Sequence, residues 1–189
     1  FTMDDNLTLS EAVKERYRRM FIGVFYKRNI LGLWVTAEGS IYTVYSDNKE
    51  AYYIDEPDYD FIQIGIDFGG NGSAHTFVAS ELTALMSERI EATGMTPQQL
   101  YNAIDLFIEK VQNKYGQVST IYPDSAEQTL INGIRTMISN KYPYIIVRNS
   151  IKNEIIDRIR CTTSLMASCR FFMTRDCKTL ELAFENAVY

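Results

Sequence analysis

The stretch IGIDFGGNGSAHTF, residues 64–77, decides the fold, because an apolar run ends there in a carboxylate that two glycines follow. Apolar residues alternate through FIQIGIDFG (61–69), which predicts a β-strand, and AHTFVASEL (74–82) predicts a second strand joined to it by the glycine turn. A charge on the last residue of a strand, beside an open turn, contributes little to folding. We therefore expect Asp67 to have a chemical role.

The rest of the chain extends this hairpin into an α/β domain. ALMSERIEAT predicts a third strand, and TPQQLYNAIDLFIEKVQNKYG predicts a helix with Thr96 as N-cap, Pro97 in the first turn and Gly116 at its end. The pattern then predicts a strand, a helix, a strand, a helix, an extended segment and a closing helix, over residues 118–124, 125–140, 142–149, 151–163, 168–176 and 177–189. This order is that of a ribonuclease H-like α/β fold, a mixed five-stranded sheet flanked by helices.

The N-terminal third has a different pattern. Residues 1–60 are expected to form an N-terminal extension packed on the core, and residues 61–189 the ribonuclease H-like domain. Within the extension, residues 9–21 predict an amphipathic helix capped by Ser10, and residues 29–45 predict extended structure interrupted by glycines.

In the ribonuclease H-like arrangement the fourth strand lies beside the first, so Asp67 and Asp124 are expected at one edge of the sheet. Two carboxylates held close together repel each other unless cations lie between them. Carboxylate oxygens suit Mg²⁺ or Mn²⁺, and two such ions catalyse phosphodiester hydrolysis in many enzymes. For Asp124 an alternative remains open, in which its side chain only caps the following helix.

The charge distribution is compatible with a nucleic-acid partner although the net charge is −5. Residues 61–132 carry three basic and eight acidic side chains, whereas residues 133–189 carry nine basic and five acidic ones. Acidic groups that hold metal ions beside basic groups that hold a polyanion are what a metal-dependent nuclease requires. A chance asymmetry of solvated charges explains the same numbers.

Composition excludes several other classes of protein. No apolar run reaches the roughly 18 residues that a membrane span needs, and FTMDDNLTLS has none of the features of a signal peptide. The three cysteines, at positions 161, 169 and 177, match neither a zinc motif nor a disulfide framework. We interpret them as reduced, buried thiols.

Four segments in this order resemble the C-terminal nuclease domain of bacteriophage terminase large subunits of the PBSX-like type. They are LGLWVTAEGSIY (31–42), IGIDFGGNGSAHTFVA (64–79), IYPDSAEQTLINGIR (121–135) and IKNEIIDRIR (151–160). The resemblance covers nearly the whole chain, and it implies that FTMDDN is the junction after a packaging ATPase domain.

The resemblance implies a metal-dependent endodeoxyribonuclease that cuts concatemeric viral DNA with two Mg²⁺ or Mn²⁺ ions. Its implied partners are double-stranded DNA, the ATPase domain, the portal protein and the small terminase subunit. Its implied location is the host cytoplasm and, during packaging, the procapsid portal. Asp67 and Asp124 take the place of two of the family's catalytic metal ligands. The third, in a D-x-x-D-A-x-x-Y type of segment on the last helix, has no counterpart here and is expected beyond Tyr189; Glu181 and Glu185 are interpreted as helix-surface residues.

Further residues are candidates for supporting roles. Glu127, one helical turn after Asp124, and His75, the only histidine, are possible neighbours of the metal site. Basic side chains in the last third are candidates for contacts to DNA phosphates, namely Lys141, Arg148, Lys152, Arg158 and Arg160.

Two rival functions remain open. GIDFGG followed by a hairpin also resembles the first phosphate-binding turn of actin-like phosphotransferases, although the glycine-rich motifs that such proteins need later are missing. The other rival is a catalytically silent module that docks to the portal or to the small terminase subunit.

Overall fold

The computed structural model describes residue 3 and residues 8–20, 30–32, 39–57, 60–70, 72–82 and 84–188, with the side chains of 16–20 excepted. The chain forms two compact units. One consists of residues 50–180, and the other of residues 1–49 together with 181–189.

The larger unit is built on a six-stranded mixed sheet with the strand order β5-β4-β1-β2-β3-β6. The strands are β1 (Ile62–Asp67), β2 (His75–Glu81), β3 (Ala84–Glu91), β4 (Val118–Pro123), β5 (Ile146–Val147) and β6 (Phe172–Met173). β1 to β3 are antiparallel, whereas β4 runs parallel to β1. The predicted adjacency of the first and fourth strands is therefore confirmed. The sheet has six strands rather than five, because Phe172 and Met173 in the predicted extended segment pair with β3.

The helices of the described residues are α1 (Glu11–Met20), α2 (Thr43–Asp47), α3 (Pro97–Lys114), α4 (Gln128–Lys141), α5 (Ile155–Ala167) and α6 (Lys178–Asn186). A 3₁₀-helix spans Lys49–Tyr52. None of the described helices has both the length and the apolar character needed to cross a membrane.

Buried and more exposed residues alternate along β1 and β2, so that each strand has one buried face. Ile64, Ile66 and Phe77 are buried among the side chains of α3. The rings of Phe77 and Phe107 lie 5.9 Å apart between centroids. Burial of this apolar surface is the main favourable contribution to folding of the unit. The opposite face of β1 carries Asp67.

Helix α3 has the predicted boundaries because local residues at each end provide for the backbone groups that have no partner within the helix. The Thr96 hydroxyl accepts a hydrogen bond from the Gln99 N–H, and the Gln99 side chain accepts one from the Thr96 N–H, which is a capping box. Pro97 occupies the first turn, where no N–H is needed. Gly116, with φ +120°, follows the helix and adopts a conformation that favours glycine.

The helix after β4 was expected to start directly after Asp124, but α4 starts at Gln128. A turn separates the two, in which the Asp124 carboxylate accepts a hydrogen bond from the Ala126 N–H at 3.2 Å. Asp124 is therefore not the N-cap of α4. Glu127 occupies that position and makes no capping hydrogen bond with its side chain.

Three other boundaries differ from prediction. β5 is limited to Ile146–Val147, because α4 extends to Lys141 and a turn follows it. Helix α5 starts at Ile155, so residues 151–154, predicted as its first turn, are irregular. Part of the predicted extended stretch 29–45 is helical, in α2, and residues 29 and 33–38 of the stretch lie outside the described part of the chain.

The smaller unit has a core of its own. Tyr42 and Tyr45 pack against Phe184, with ring centroids 4.9 Å and 5.7 Å apart. Lys49 Nζ donates to Glu181 at 3.1 Å and to Glu185 at 2.9 Å. These two acids are half-buried on α6 and are ion-paired with a lysine of the same unit.

The prediction of three buried thiols is wrong for two of them, because Cys161 and Cys169 are exposed and only Cys177 is buried. Burial raises the pKa of the Cys177 thiol to about 12. We expect an aromatic disulfide reagent to modify two thiols in the folded protein and the third after denaturation, because the thiolate is the reactive form. A Cys177→Ala variant should still show two reactive thiols, and rapid modification of three thiols in the folded wild type would contradict the burial of Cys177.

Candidate active site

The two acids singled out from the sequence lie at the same edge of the sheet. Ile66 of β1 is registered with Pro123 of β4, and in each case the next residue along the chain is the aspartate. The Asp124 N–H donates to the Ile66 carbonyl at 2.8 Å, which extends the ladder to the ends of both strands. Since the strands are parallel, Asp67 and Asp124 leave the sheet side by side.

Both acids line one cleft of about 660 Å³ on the face of the sheet opposite the α3 core. Gly65 lies in the cleft lining beside Tyr122, and a Cβ atom at this position would meet nothing within 4 Å. The lining residues are Gly65, Ile66, Asp67, Thr76, Val78, Tyr122, Asp124, Ser150, Ile151, Lys152 and Arg158.

The two acids differ in their surroundings. Asp67 is exposed, and its carboxylate accepts no hydrogen bond from the described residues. Asp124 is half-buried and forms an ion pair with Lys152, whose Nζ lies 2.7 Å from Oδ1. The hydrogen bond from Lys152 lowers the pKa of Asp124, and backbone N–H groups lower it further. Asp124 is consequently held in its anionic form at neutral pH.

The turn after Asp67 is closed by hydrogen bonds of its own. The Gly69 N–H donates to His75 Nδ1 at 3.0 Å, and the Gly70 N–H donates to Ser73 Oγ at 3.1 Å. In a phosphate-binding turn these amide groups point at the ligand. Here both are already bonded within the turn, which argues against the actin-like phosphotransferase.

His75 and Glu127, the predicted neighbours of the metal site, do not line the cleft. His75 is buried on the same side of β2 as Phe77, whereas Thr76, its neighbour in the chain, lines the cleft. Through Gly69 it holds the turn that follows Asp67. Glu127 is exposed at the N-terminus of α4.

Of the five basic candidates, Lys152 and Arg158 line the cleft. Lys141 forms ion pairs with Asp105 and Glu109 on α3, at 2.6 Å and 2.8 Å, and does not line the cleft.

The other two basic candidates also lie outside the cleft lining. Arg160 pairs with Asp157 at 3.3 Å on the surface of α5, and Arg148 is exposed after β5. The contact between Lys152 and Asp124 was not anticipated from the sequence, where Lys152 was only a candidate for contacts to DNA phosphates. No sequence signal links two residues that a helix and a strand separate.

The donor set of the cleft suits a hard divalent cation. Asp67 and Asp124 lie at the ends of neighbouring strands in the cleft lining, to which Thr76 and Ser150 also belong. Oxygen ligands with open positions are what Mg²⁺ and Mn²⁺ prefer. Among the described residues, however, no group of three or more His, Cys, Asp or Glu side chains is arranged to hold a metal ion. The cleft lining therefore offers such a cation two protein carboxylates, those of Asp67 and Asp124.

Comparison with known proteins gives one consistent result. No protein-family profile matches the chain, and no curated protein has a sufficiently similar sequence. Among solved structures, this chain is similar to the large terminase of a thermophilic bacteriophage in complex with ATP-gamma-S, with 30% identity and a TM-score of 0.63. The alignment covers 100% of this chain and 47% of the terminase chain. This chain thus spans about half of that full-length terminase.

Two isolated nuclease domains share the fold at lower identity. The phage P22 large terminase nuclease domain has 14% identity and a TM-score of 0.56 over 79% of each chain. The large terminase nuclease from thermophilic phage G20c with bound magnesium has 16% identity and a TM-score of 0.53, over 81% of this chain and 82% of that one. The predicted ribonuclease H-like fold is thereby confirmed, and the chain is similar to the nuclease domains of phage large terminases.

Proposed function

We propose that this chain is the nuclease domain of a phage terminase large subunit, a metal-dependent endonuclease that cuts concatemeric DNA during genome packaging. The observation that carries the proposal is the convergence of Asp67 and Asp124 in one open cleft that Lys152 and Arg158 also line. The similarity to the full-length phage terminase supports it. Under this proposal the protein acts in the host cytoplasm and at the procapsid portal, with an ATPase domain, the portal protein and the small terminase subunit as partners.

Each lining residue has a role in this proposal. Asp67 and Asp124 hold one or two Mg²⁺ or Mn²⁺ ions through their carboxylate oxygens. Bound there, such ions supply an activated water and stabilise the leaving oxygen of the phosphodiester. Arg158 and Lys152 bind backbone phosphates of the DNA strand, and such contacts position DNA without reading its sequence. Sequence-tolerant cutting follows from this, because the proposed interactions are all with the DNA backbone.

The second candidate is the docking module without catalysis. It is favoured by the lack of a third acid near the cleft among the described residues, since two carboxylates hold a divalent cation less tightly than three. The two candidates differ in one respect that is easily measured, because a docking module does not hydrolyse DNA.

The proposal is tested by incubating the protein with supercoiled plasmid and Mn²⁺. A nuclease converts the plasmid to nicked and linear forms, EDTA stops the reaction, and plasmids of unrelated sequence are cut at similar rates. Asp67→Asn protein purified in the same way controls for contaminating nuclease. Plasmid that stays supercoiled in Mn²⁺ at high protein concentration would favour the docking module.

A further inference from the structure

The cleft contains a positively charged side chain of the protein, that of Lys152, in direct contact with one of the two acids. Lys152 Nζ lies 2.7 Å from Asp124 Oδ1, the distance of a direct ion pair. Lys152 comes from the irregular residues between β5 and α5, whereas Asp124 lies at the end of β4. The ammonium group therefore occupies one of the positions next to the Asp124 carboxylate.

The charges in the cleft explain why a lysine is stable there. Asp67 and Asp124 are like charges that leave adjacent strands side by side, and such a pair is unfavourable without a counterion. In the part of the chain that the structure describes, Lys152 is the cation that forms an ion pair with one of these two acids. Arg158 also lines the cleft but makes no ion pair with either.

The two partners differ in how firmly they are held. The Asp124 carboxylate is also bonded to the Ala126 N–H, and its side chain is 21% exposed. The Lys152 side chain is 58% exposed and is bonded to Asp124 alone among the described residues. A lysine has a flexible four-carbon stem that allows its charge to change position at low cost. Lys152 is thus the less constrained partner of the pair, and Asp124 the more constrained one.

We propose that Lys152 is a positioning residue that acts as the counterion of the cleft before DNA binds. It neutralises Asp124 in the DNA-free protein, competes there with the divalent cation, and transfers to a backbone phosphate when DNA enters. This inference rests on the proposed nuclease function. It explains how a cleft with one exposed and one half-buried carboxylate avoids filling with metal before its substrate arrives.

The inference is tested by measuring Mn²⁺ affinity calorimetrically in wild type and in Lys152→Met, without DNA. The methionine keeps most of the length of the side chain and removes its charge, so we expect Mn²⁺ to bind roughly tenfold more tightly, as for a unit charge removed from a partly solvated site. The matched control is Lys114→Met, which breaks the ion pair between Lys114 and Asp176 outside the cleft. This variant should bind Mn²⁺ with wild-type affinity.

A second measurement adds a short duplex with phosphorothioate linkages, which resists cleavage. In wild type the phosphates draw Lys152 from Asp124, so the ratio of Mn²⁺ affinities between Lys152→Met and wild type should fall from roughly ten towards one. A ratio that stays near ten would overturn the transfer to phosphate.

Equal Mn²⁺ affinities of the two proteins without DNA, with circular dichroism showing both folded, would overturn the inference as a whole. That result is distinguishable from failure of the proposed function. If Lys152 has no such role, the wild type still nicks plasmid and Asp67→Asn does not. If the function is wrong, Asp67→Asn and wild type behave alike in the nicking assay.

Discussion

Asp67→Asn is expected to lower the rate of Mn²⁺-dependent plasmid nicking by roughly a thousandfold, equivalent to about 4 kcal/mol of transition-state stabilisation. Asn keeps the shape of the side chain and one oxygen but removes the negative charge. Asp67 is the exposed acid of the cleft, and its carboxylate accepts no hydrogen bond from the described residues. Loss of activity in this variant would therefore arise from the missing charge rather than from a lost structural contact.

Thermal unfolding separates these two causes. Asp67→Asn should unfold at the same temperature as wild type or at a higher one, because the change relieves the repulsion between Asp67 and Asp124. The matched control is Asp47→Asn, the same change at an exposed residue of α2 outside the cleft, which should nick at the wild-type rate. An Asp67→Asn protein that nicks as fast as wild type would refute the assignment of Asp67.

The juxtaposition of the two acids was predictable because it depends on strand order. Alternation over 62–67 sets which side chains of β1 are buried, and the glycine turn forces β2 back beside it. A helix then returns the chain to the other side of β1, so β4 runs parallel to it. Each of these steps follows from local sequence and from the short connections that sheets prefer.

The sequence indicates which face of β2 carries His75, but not which group its side chain binds. In HTFVA, residues 75, 77 and 79 share one side of the strand, and the buried Phe77 and Ala79 place His75 on the core side. This alternation is visible in the sequence. The sequence did not show that the buried imidazole has a partner, because the Gly69 N–H becomes available to it only when the turn closes. A polar group is stable in such a position only when it is hydrogen-bonded.

The misplaced helix start after β4 has a different cause. Glu127, three residues after Asp124, resembles the N3 acid of a capping box that begins at Asp124, and this favoured a helix starting at once. In the structure the Asp124 carboxylate is bound by Lys152 and by the Ala126 N–H instead. A lysine 28 residues further along the chain thus competes with the local signal. Contacts of this kind are set by tertiary structure.

Gly69→Ala is expected to destabilise the protein by about 3 kcal/mol and to lower its melting temperature by roughly 6–12 °C. A Cβ atom at this position would lie within 3.0 Å of the backbone of Ser73 and Ala74. Backbone atoms have no rotamer with which to move aside, so the turn itself has to shift. Thermal unfolding followed by circular dichroism measures the effect.

The neighbouring glycine provides the matched control. A Cβ atom at Gly70 would meet nothing within 4 Å, and the residue is exposed, so Gly70→Ala should change stability by no more than about 0.5 kcal/mol. Equal stabilities of the two variants would contradict the described turn.

The same pair of variants connects the turn to catalysis. A shift at Gly69 breaks its hydrogen bond to His75 and moves the backbone two residues after Asp67, so Gly69→Ala should also lose nicking activity at temperatures at which it is still folded. Gly70→Ala should nick at the wild-type rate. Under this prediction the first of the two glycines after Asp67 is required because it lets the chain pass close to its own backbone, and the second is not required for either stability or cutting.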